Sequence, residues 1–374
     1  MKKLLILISA LIILSCTGNN ESVERMLAGM TLEEKIGQMF VVRPEALDTG
    51  AVCYTLEQMR ERRITSVSGP MRQKAQKYPM GGVILLDHNI KDKDQLKALT
   101  SEIHSLPGSP LIYIDEEGGR ICRIASNPSF RLMKVPSMSE LAASGRTAAA
   151  YEAGLYMGAY LDRYGIDVNL APVADVNTNP LNEVIGDRAF SSDPRQAAPM
   201  VKSYLKGLQK TGIIGCLKHF PGHGDTQSDS NYGYAMSRKS WNEIQDCEMI
   251  PFRAGIKAGA KLILVAHISL PNILHSNIPA SLSPEIIQEK LRGELGYRGV
   301  IMTDSMDMGA IVRQYPIQDA AIMAIKAGAD IILNPSDYPR VFEAVLAAVR
   351  RGEISESRID DSVRRILAMK AARQ

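Results

Sequence analysis

Short runs of apolar residues recur along this chain, spaced so that a helix fits between most neighbouring pairs. Eight can be counted: Met39-Phe40-Val41-Val42, Gly82 to Leu86, Leu111 to Ile114, Val168 to Val173, Ile213 to Leu217, Leu262 to Ala266, Val300 to Thr303 and Ile331 to Leu333. Continuous apolar runs of this length, without strict alternation, suit strands buried on both faces, as in a parallel sheet. The segments between them carry helical spacing. Residues 147–161 and 317–327 are alanine-rich, and Gly328 after the second is a C-cap signal. Thr31-Leu32-Glu33-Glu34 has the form of a capping box, and Ile359, Val363, Ile366 and Leu367 share one face of a last helix from about Ser357. Residues 45–78 are polar with a basic helical flavour and read as an elaborated loop. The alternation predicts the α/β class, as a single-domain (β/α)₈ barrel of the TIM type. An open doubly wound sheet would alternate similarly, but no G-x-G-x-x-G follows the first run.

The ends of the runs add chemistry. Six of the eight finish on an ionisable residue: Arg43, Asp87, Asp115, Lys218, His267 and Asp304. Barrel enzymes place their active sites at the C-terminal strand ends, which converge on one mouth. The densest cluster is Lys218-His219-Phe220-Pro221-Gly222-His223-Gly224-Asp225, continuing to Asp229-Ser230-Asn231. It reads as an active-site loop leaving a rigid strand. Pro221-Gly222 makes a helix carrying His219 and His223 together improbable, so no metal is expected there. His267 is a candidate to line the pocket, whereas His88, His104 and His275 read as surface or loop residues.

The N-terminus reads as a processing signal. Lys2-Lys3 precede an apolar run from Leu4 to Leu14, followed by Ser15-Cys16. A bilayer core needs about 20 apolar residues, so this run suits a signal-peptide core rather than a span. Ile13-Leu14-Ser15-Cys16 resembles a bacterial lipoprotein cleavage box, with Cys16 as the lipid-bearing residue. The expected organisation is a signal peptide over 1–15, a tether over 16–30 and the barrel over 31–374. The expected location is the bacterial cell envelope, exported and anchored to a membrane by lipid.

Composition narrows the alternatives little. At 374 residues, 45% hydrophobic and 23% charged, the chain is ordinary for a globular protein. Without Lys2 and Lys3 it carries 42 basic against 41 acidic residues, and its one dense basic run, Arg60-Glu61-Arg62-Arg63, reads as a solvated helix face. No nucleic-acid footprint is present. Cys53, Cys122, Cys216 and Cys247 form no C-x-x-C pair, and Cys216 reads as core. Aromatic residues are scarce at 5%, with Trp241 the one tryptophan, which disfavours a long stacking groove.

Five motifs in order resemble glycoside hydrolase family 3, and most closely its single-barrel β-N-acetylhexosaminidases: DEEGGR (115–120), APVADVN (171–177), IGDRAF (185–190), KHFPGHGDT (218–226) and MTDSMDMGA (302–310). The resemblance runs from about residue 31 to the C-terminus. It implies a (β/α)₈ barrel and retaining hydrolysis of terminal β-linked N-acetylglucosamine-type residues, from peptidoglycan fragments or amino-sugar glycans, without a cofactor. Asp304 matches the nucleophile, which forms a covalent glycosyl-enzyme intermediate. Asp115, Arg123, Arg188, Lys218 and His219 match sugar-binding positions. Asp307 does not match the nucleophile position and reads as structural.

One departure stands out. The family's loop ends Asp-Ser-His, and that histidine is its general acid/base. Here the same place reads Asp229-Ser230-Asn231, and an amide does not titrate. Asp229 and His223 are then the candidate catalytic residues within reach, although His223 also reads as a loop brace. A β-glucosidase of the same family and a glycan-binding lipoprotein with impaired catalysis stay open as alternatives.

Overall fold

The computed structural model describes residues 21–48, 61–226 and 235–373. The leader, Cys16, Cys53, Asp229 and Asn231 lie outside the described residues. Ten strands occur in the described chain: β1 (Phe40–Val42), β2 (Gly82–Leu85), β3 (Leu111–Ile114), β4 (Val168–Asn169), β5 (Ile214–Phe220), β6 (Ala235–Met236), β7 (Leu262–Val265), β8 (Ile268–Ser269), β9 (Val300–Ser305) and β10 (Ile331–Leu333). Eight close into a parallel barrel in the order β1-β2-β3-β4-β5-β7-β9-β10, with β10 returning to β1. All eight apolar runs contribute a barrel strand. The barrel residues of β1, β2, β3, β5, β7 and β10 are buried throughout, as their lack of alternation requires.

Local signals act where the pattern places them. Thr31 and Glu34 form the reciprocal capping box of helix Leu32–Gln38. Gly328 ends helix Ile317–Ala327 in the left-handed region, at φ 113°. The alanine-rich segment after residue 147 is helix Thr147–Arg163, and Ile359, Val363, Ile366 and Leu367 are buried on helix Glu356–Ala371.

Five features differ from expectation. β4 is only two residues long, because Pro172 has no N–H to continue a ladder. The chain nevertheless stays beside β5, with the Ala174 N–H donating to the Lys218 carbonyl at 2.6 Å. β5 runs on to Phe220, so Lys218 and His219 belong to the strand rather than follow it. β6 and β8 pair outside the barrel, an addition too short to read from sequence. Finally, the expected tether over 16–30 is too long. Residues 21–28 are helical and bury Val23 and Leu27 in the core, which burial of two apolar side chains one turn apart favours. Helix Gly69–Lys77 likewise gives order to part of the 45–78 loop.

Helix Glu356–Ala371 lies across the N-terminal face of the barrel. Asp330, just before β10, is fully buried and accepts from Arg292 Nη2 at 2.6 Å, Ser362 Oγ at 2.7 Å, Arg365 Nη1 at 2.9 Å and the Ile301 N–H at 2.9 Å. Removing one partner of such a buried network leaves uncompensated charge, at a cost of about 3–5 kcal/mol. Asp330→Ala should therefore lower the unfolding free energy by about that amount in urea titration. A loss below about 1 kcal/mol would mean that the arginines are adequately satisfied by backbone carbonyls alone.

Candidate active site

The C-terminal ends of β3, β4, β5 and β9 bring the ionisable residues together. In a regular strand, Lys218 and His219 would point to opposite faces. The register between β5 and β7 shifts between Leu217 and Phe220, and both side chains reach the mouth. Lys218 Nζ lies 2.6 Å from Asp115 Oδ1 and 2.6 Å from Glu117 Oε1. Arg188 meets Glu117 in bidentate fashion, at 2.8 Å from Nε and 2.9 Å from Nη2. The same Nη2 is 3.4 Å from His219 Nε2. Because an arginine only donates, Nε2 accepts and the ring proton sits on Nδ1, which donates to Asp175 Oδ2 at 2.7 Å. One chain of contacts thus runs from Asp115 through Lys218, Glu117 and Arg188 to His219 and Asp175.

Neighbouring turns fix this chain in place. Glu116 is fully buried and accepts from the N–H groups of Arg123, Ile124 and Ala125 at 2.6–2.9 Å and from Tyr160 Oη at 2.7 Å. That carboxylate sets the turn carrying Arg123, whose charge acts on Asp115. Arg123 Nε is buried and has no hydrogen-bond partner among the described residues. Arg120 donates to the carbonyls of Glu183 at 2.6 Å and Val184 at 2.9 Å, holding the segment that presents Arg188. Gly222 adopts φ 125°, and a Cβ there would run into Glu248, so the turn after β5 needs glycine.

Asp304, next to last in β9, is half-buried, and the Ser305 N–H donates to its Oδ1 at 2.8 Å. Its field acts on both His223 and His267. Asp307, by contrast, is paired with Arg43 at 2.5 Å and accepts from Ser305 Oγ at 2.7 Å. His267 does not line the pocket as expected. It is fully buried, donating from Nε2 to the Ser305 carbonyl at 3.1 Å and accepting at Nδ1 from Ser281 Oγ at 2.6 Å. His88 is no surface residue either, since its side chain is buried against Glu45 at 3.0 Å. His104 is half-exposed and pairs with Asp167 at 2.8 Å.

His223 takes a bracing position. Its N–H donates to Asp175 Oδ1 at 2.7 Å, Nδ1 shares a hydrogen with Thr226 Oγ1 at 2.7 Å, and its ring stands edge-on to His219. Burial, and then the neighbouring His219, hold its pKa below the usual histidine range. These contacts are those of a loop brace, the other role that the sequence suggests for His223, and burial disfavours its protonated form. Asp225 is engaged by Ser237 Oγ at 2.9 Å and Thr178 Oγ1 at 3.1 Å.

Glu117 and Asp175 were the residues that sequence reasoning missed. Glu117 stands two positions after Asp115, a spacing that lets two carboxylates share one cation. Asp175 enters the sequence reading only within APVADVN (171–177), with no role of its own.

Closed parallel barrels with charged side chains gathered at the C-terminal mouth form a class of enzymes that share architecture across many chemistries. Within that class the comparisons are specific. The sequence model described as the Glycosyl hydrolase family 3 N terminal domain matches residues 31–369. The chain therefore belongs to glycoside hydrolase family 3. It is 32% identical over 334 residues to β-hexosaminidase A of Pseudoalteromonas piscicida, covering 82% of this chain and 56% of that protein. It is also 32% identical over 293 residues to a β-hexosaminidase of Stenotrophomonas maltophilia, covering 76% of this chain and 84% of that one. A family 3 β-N-acetylglucosaminidase structure from a Paenibacillus species superposes with a TM-score of 0.83 at 34% identity, over 92% of this chain and 63% of that one. Some relatives are thus considerably longer than this chain.

The ionisation pattern predicts how stability depends on pH. Burial alone would raise Asp115, Glu117 and Asp175, but Lys218 with Arg123, Arg188 with Lys218, and His219 respectively outweigh it and hold all three below the usual carboxylate range. Their stabilisation is present above about pH 4 and lost as pH falls below it. Burial also lowers His267, against the opposing pull of Asp304. The unfolded chain binds protons at these histidines near pH 6.5 while the folded chain resists, so stability also declines as pH falls through that range. Denaturation midpoints should fall in two stages between about pH 8 and pH 3, and His267→Gln should shrink the upper stage. A midpoint unchanged from pH 8 to pH 5 would contradict the buried neutral histidines.

Proposed function

We propose that this protein is a retaining glycosidase that releases terminal β-linked N-acetylglucosamine-type residues from peptidoglycan fragments or other amino-sugar glycans. The observation that carries this reading is the placement of Lys218 between Asp115 and Glu117, at the mouth to which the end of β9 carries Asp304. Family membership and the β-hexosaminidase names of its relatives support the choice of sugar.

In the proposed reaction, Asp304 attacks the anomeric carbon and the glycosidic C–O bond breaks, leaving a glycosyl ester on Asp304. Water then attacks the same carbon and releases the sugar with net retention. Asp115 accepts hydrogen bonds from sugar hydroxyls, while Lys218 and Arg188 donate, each held rigid by Glu117. Buried, prepaired side chains need little reorganisation as charge develops at the ring.

With Asn231 in the expected acid/base place, Asp229 is the proposed proton donor. Asn231 also favours a second reading, a glycan-binding protein with impaired catalysis. The lipoprotein-like Cys16 leader supports export and lipid anchoring in the cell envelope as part of the same proposal.

Aryl β-N-acetylglucosaminides with leaving groups of graded acidity test this. A general acid is worth about 10²–10⁴-fold in rate, so a weak one predicts a steep dependence on leaving-group pKa. Asp304→Ala should abolish turnover of every member of the series, and wild-type-like activity there would refute the nucleophile. Asn231→His should speed the poor leaving groups selectively. Binding of sugar without turnover of the most activated substrate would establish the second reading instead, and faster cleavage of aryl β-glucosides would move the specificity to glucose.

A further inference from the structure

The described chain begins at the barrel face opposite the active-site mouth. Glu24, in the helical stretch 21–28, pairs with Arg364 at 2.5 Å. Arg364 lies on helix Glu356–Ala371, which spans the N-terminal face. That helix contacts Asp330 before β10 through Arg365 and Ser362, the Gly108 and Ser109 carbonyls before β3 through Lys370, and Asp167 before β4 through Arg373. Only four residues, Thr17 to Asn20, separate Cys16 from this helical stretch. Fully extended, they reach about 14 Å.

This face exposes the acids Glu21, Glu24, Asp162 and Asp361, and it also carries a basic sector. Arg163, Lys210, Lys257, Lys261 and Arg298 are exposed, and none has an acidic partner within ion-pair distance among the described residues. They precede β4, β5, β7 and β9, four successive strands of the barrel, and so form one sector. Part of this has a local origin. Arg163, Lys210 and Lys257 occupy the last turns of their helices, where a cation meets the negative dipole end. A (β/α)₈ barrel directs its main helix C-termini to one face, so a preference of single helices sums to a charged surface.

We propose that the N-terminal face of the barrel rests on an anionic lipid leaflet and holds the active-site mouth away from the membrane. This rests on the lipid anchor at Cys16 proposed above. A lipid on Cys16 brings that face within tether length of the headgroups, and cations within a Debye length are drawn to anionic lipid, each by about fivefold in partitioning. Helices Thr147–Arg163 and Pro194–Lys210, 17 residues each, run from mouth to base. They set the mouth about 25 Å from the basic face. The substrate class is correspondingly restricted to glycans in the aqueous envelope, and excludes sugars presented at the headgroups by a lipid carrier.

The test uses the full-length protein, processed with its own leader and reconstituted into vesicles of phosphatidylethanolamine and phosphatidylglycerol. Lysine acylation is followed by mass spectrometry, with the protein in detergent as reference. Lys210, Lys257 and Lys261 should be acylated about fivefold more slowly on vesicles, while Lys91 and Lys134, exposed on connections at the mouth, react at the same rate in both states. Protection of Lys91 and Lys134, or equal rates at all five, overturns the orientation even when intact mass shows lipid on Cys16. An intact mass without lipid refutes the anchor and this proposal with it, and leaves the glycosidase reading to its own assay. Turnover of a soluble aryl glycoside should be equal on vesicles and in detergent, and a several-fold loss on vesicles would place the mouth at the membrane.

Discussion

Everything at the mouth depends on the ammonium of Lys218 being held between two carboxylates. An amine buried in a barrel would ordinarily lose its proton, because desolvation disfavours charge. Asp115 and then Glu117 outweigh that burial and keep the lysine charged, and Lys218 in return helps to hold both acids ionised. Neither partner is stable there alone. The pairing converts three groups that would each be expensive to bury into a fixed array of donors and acceptors, and Arg188 and His219 extend that array toward Asp175.

In the proposed sugar chemistry, rigidity of this kind has a direct use. A pyranose presents hydroxyls at fixed angles, and a site that holds matching groups in advance avoids paying for their ordering during the reaction. The second layer serves the same end. Glu116 organises the turn that presents Arg123, Arg120 ties down the segment that presents Arg188, and His223 and Asp175 support His219. Conspicuously, this apparatus is intact in a chain whose loop ends in Asn231. In the proposed reading, holding a sugar and protonating its leaving group rest on different residues of neighbouring segments.

Barrel geometry also separates the two ends of the molecule. Strand C-termini collect the ionisable residues at the mouth, while helix C-termini collect lysines and arginines at the base. Both arise from local preferences, and the parallel topology sums each of them on its own face. The buried Asp330 network and the last helix close the base, and Glu24, near the start of the described residues, pairs with Arg364 on that helix.

The apolar runs fixed much of the architecture in advance, because a strand buried on both faces must be apolar at every position, and that constraint is visible in a single sequence. Caps such as Thr31–Glu34 and Gly328 were legible for the same reason, being local in the chain. Asp115, Lys218 and Asp304 could be picked out as strand-end residues. Tertiary structure alone decided their partners. Glu117 and Asp175 lie inside DEEGGR and APVADVN, but their partners stand 71 and 44 residues away and are brought to them only by the closed barrel. His267 looked like a pocket-lining histidine at a strand end, yet burial makes it a brace. Local patterning sets which segments form and which way they face, whereas the charge state and task of a side chain depend on what the closed barrel packs against it.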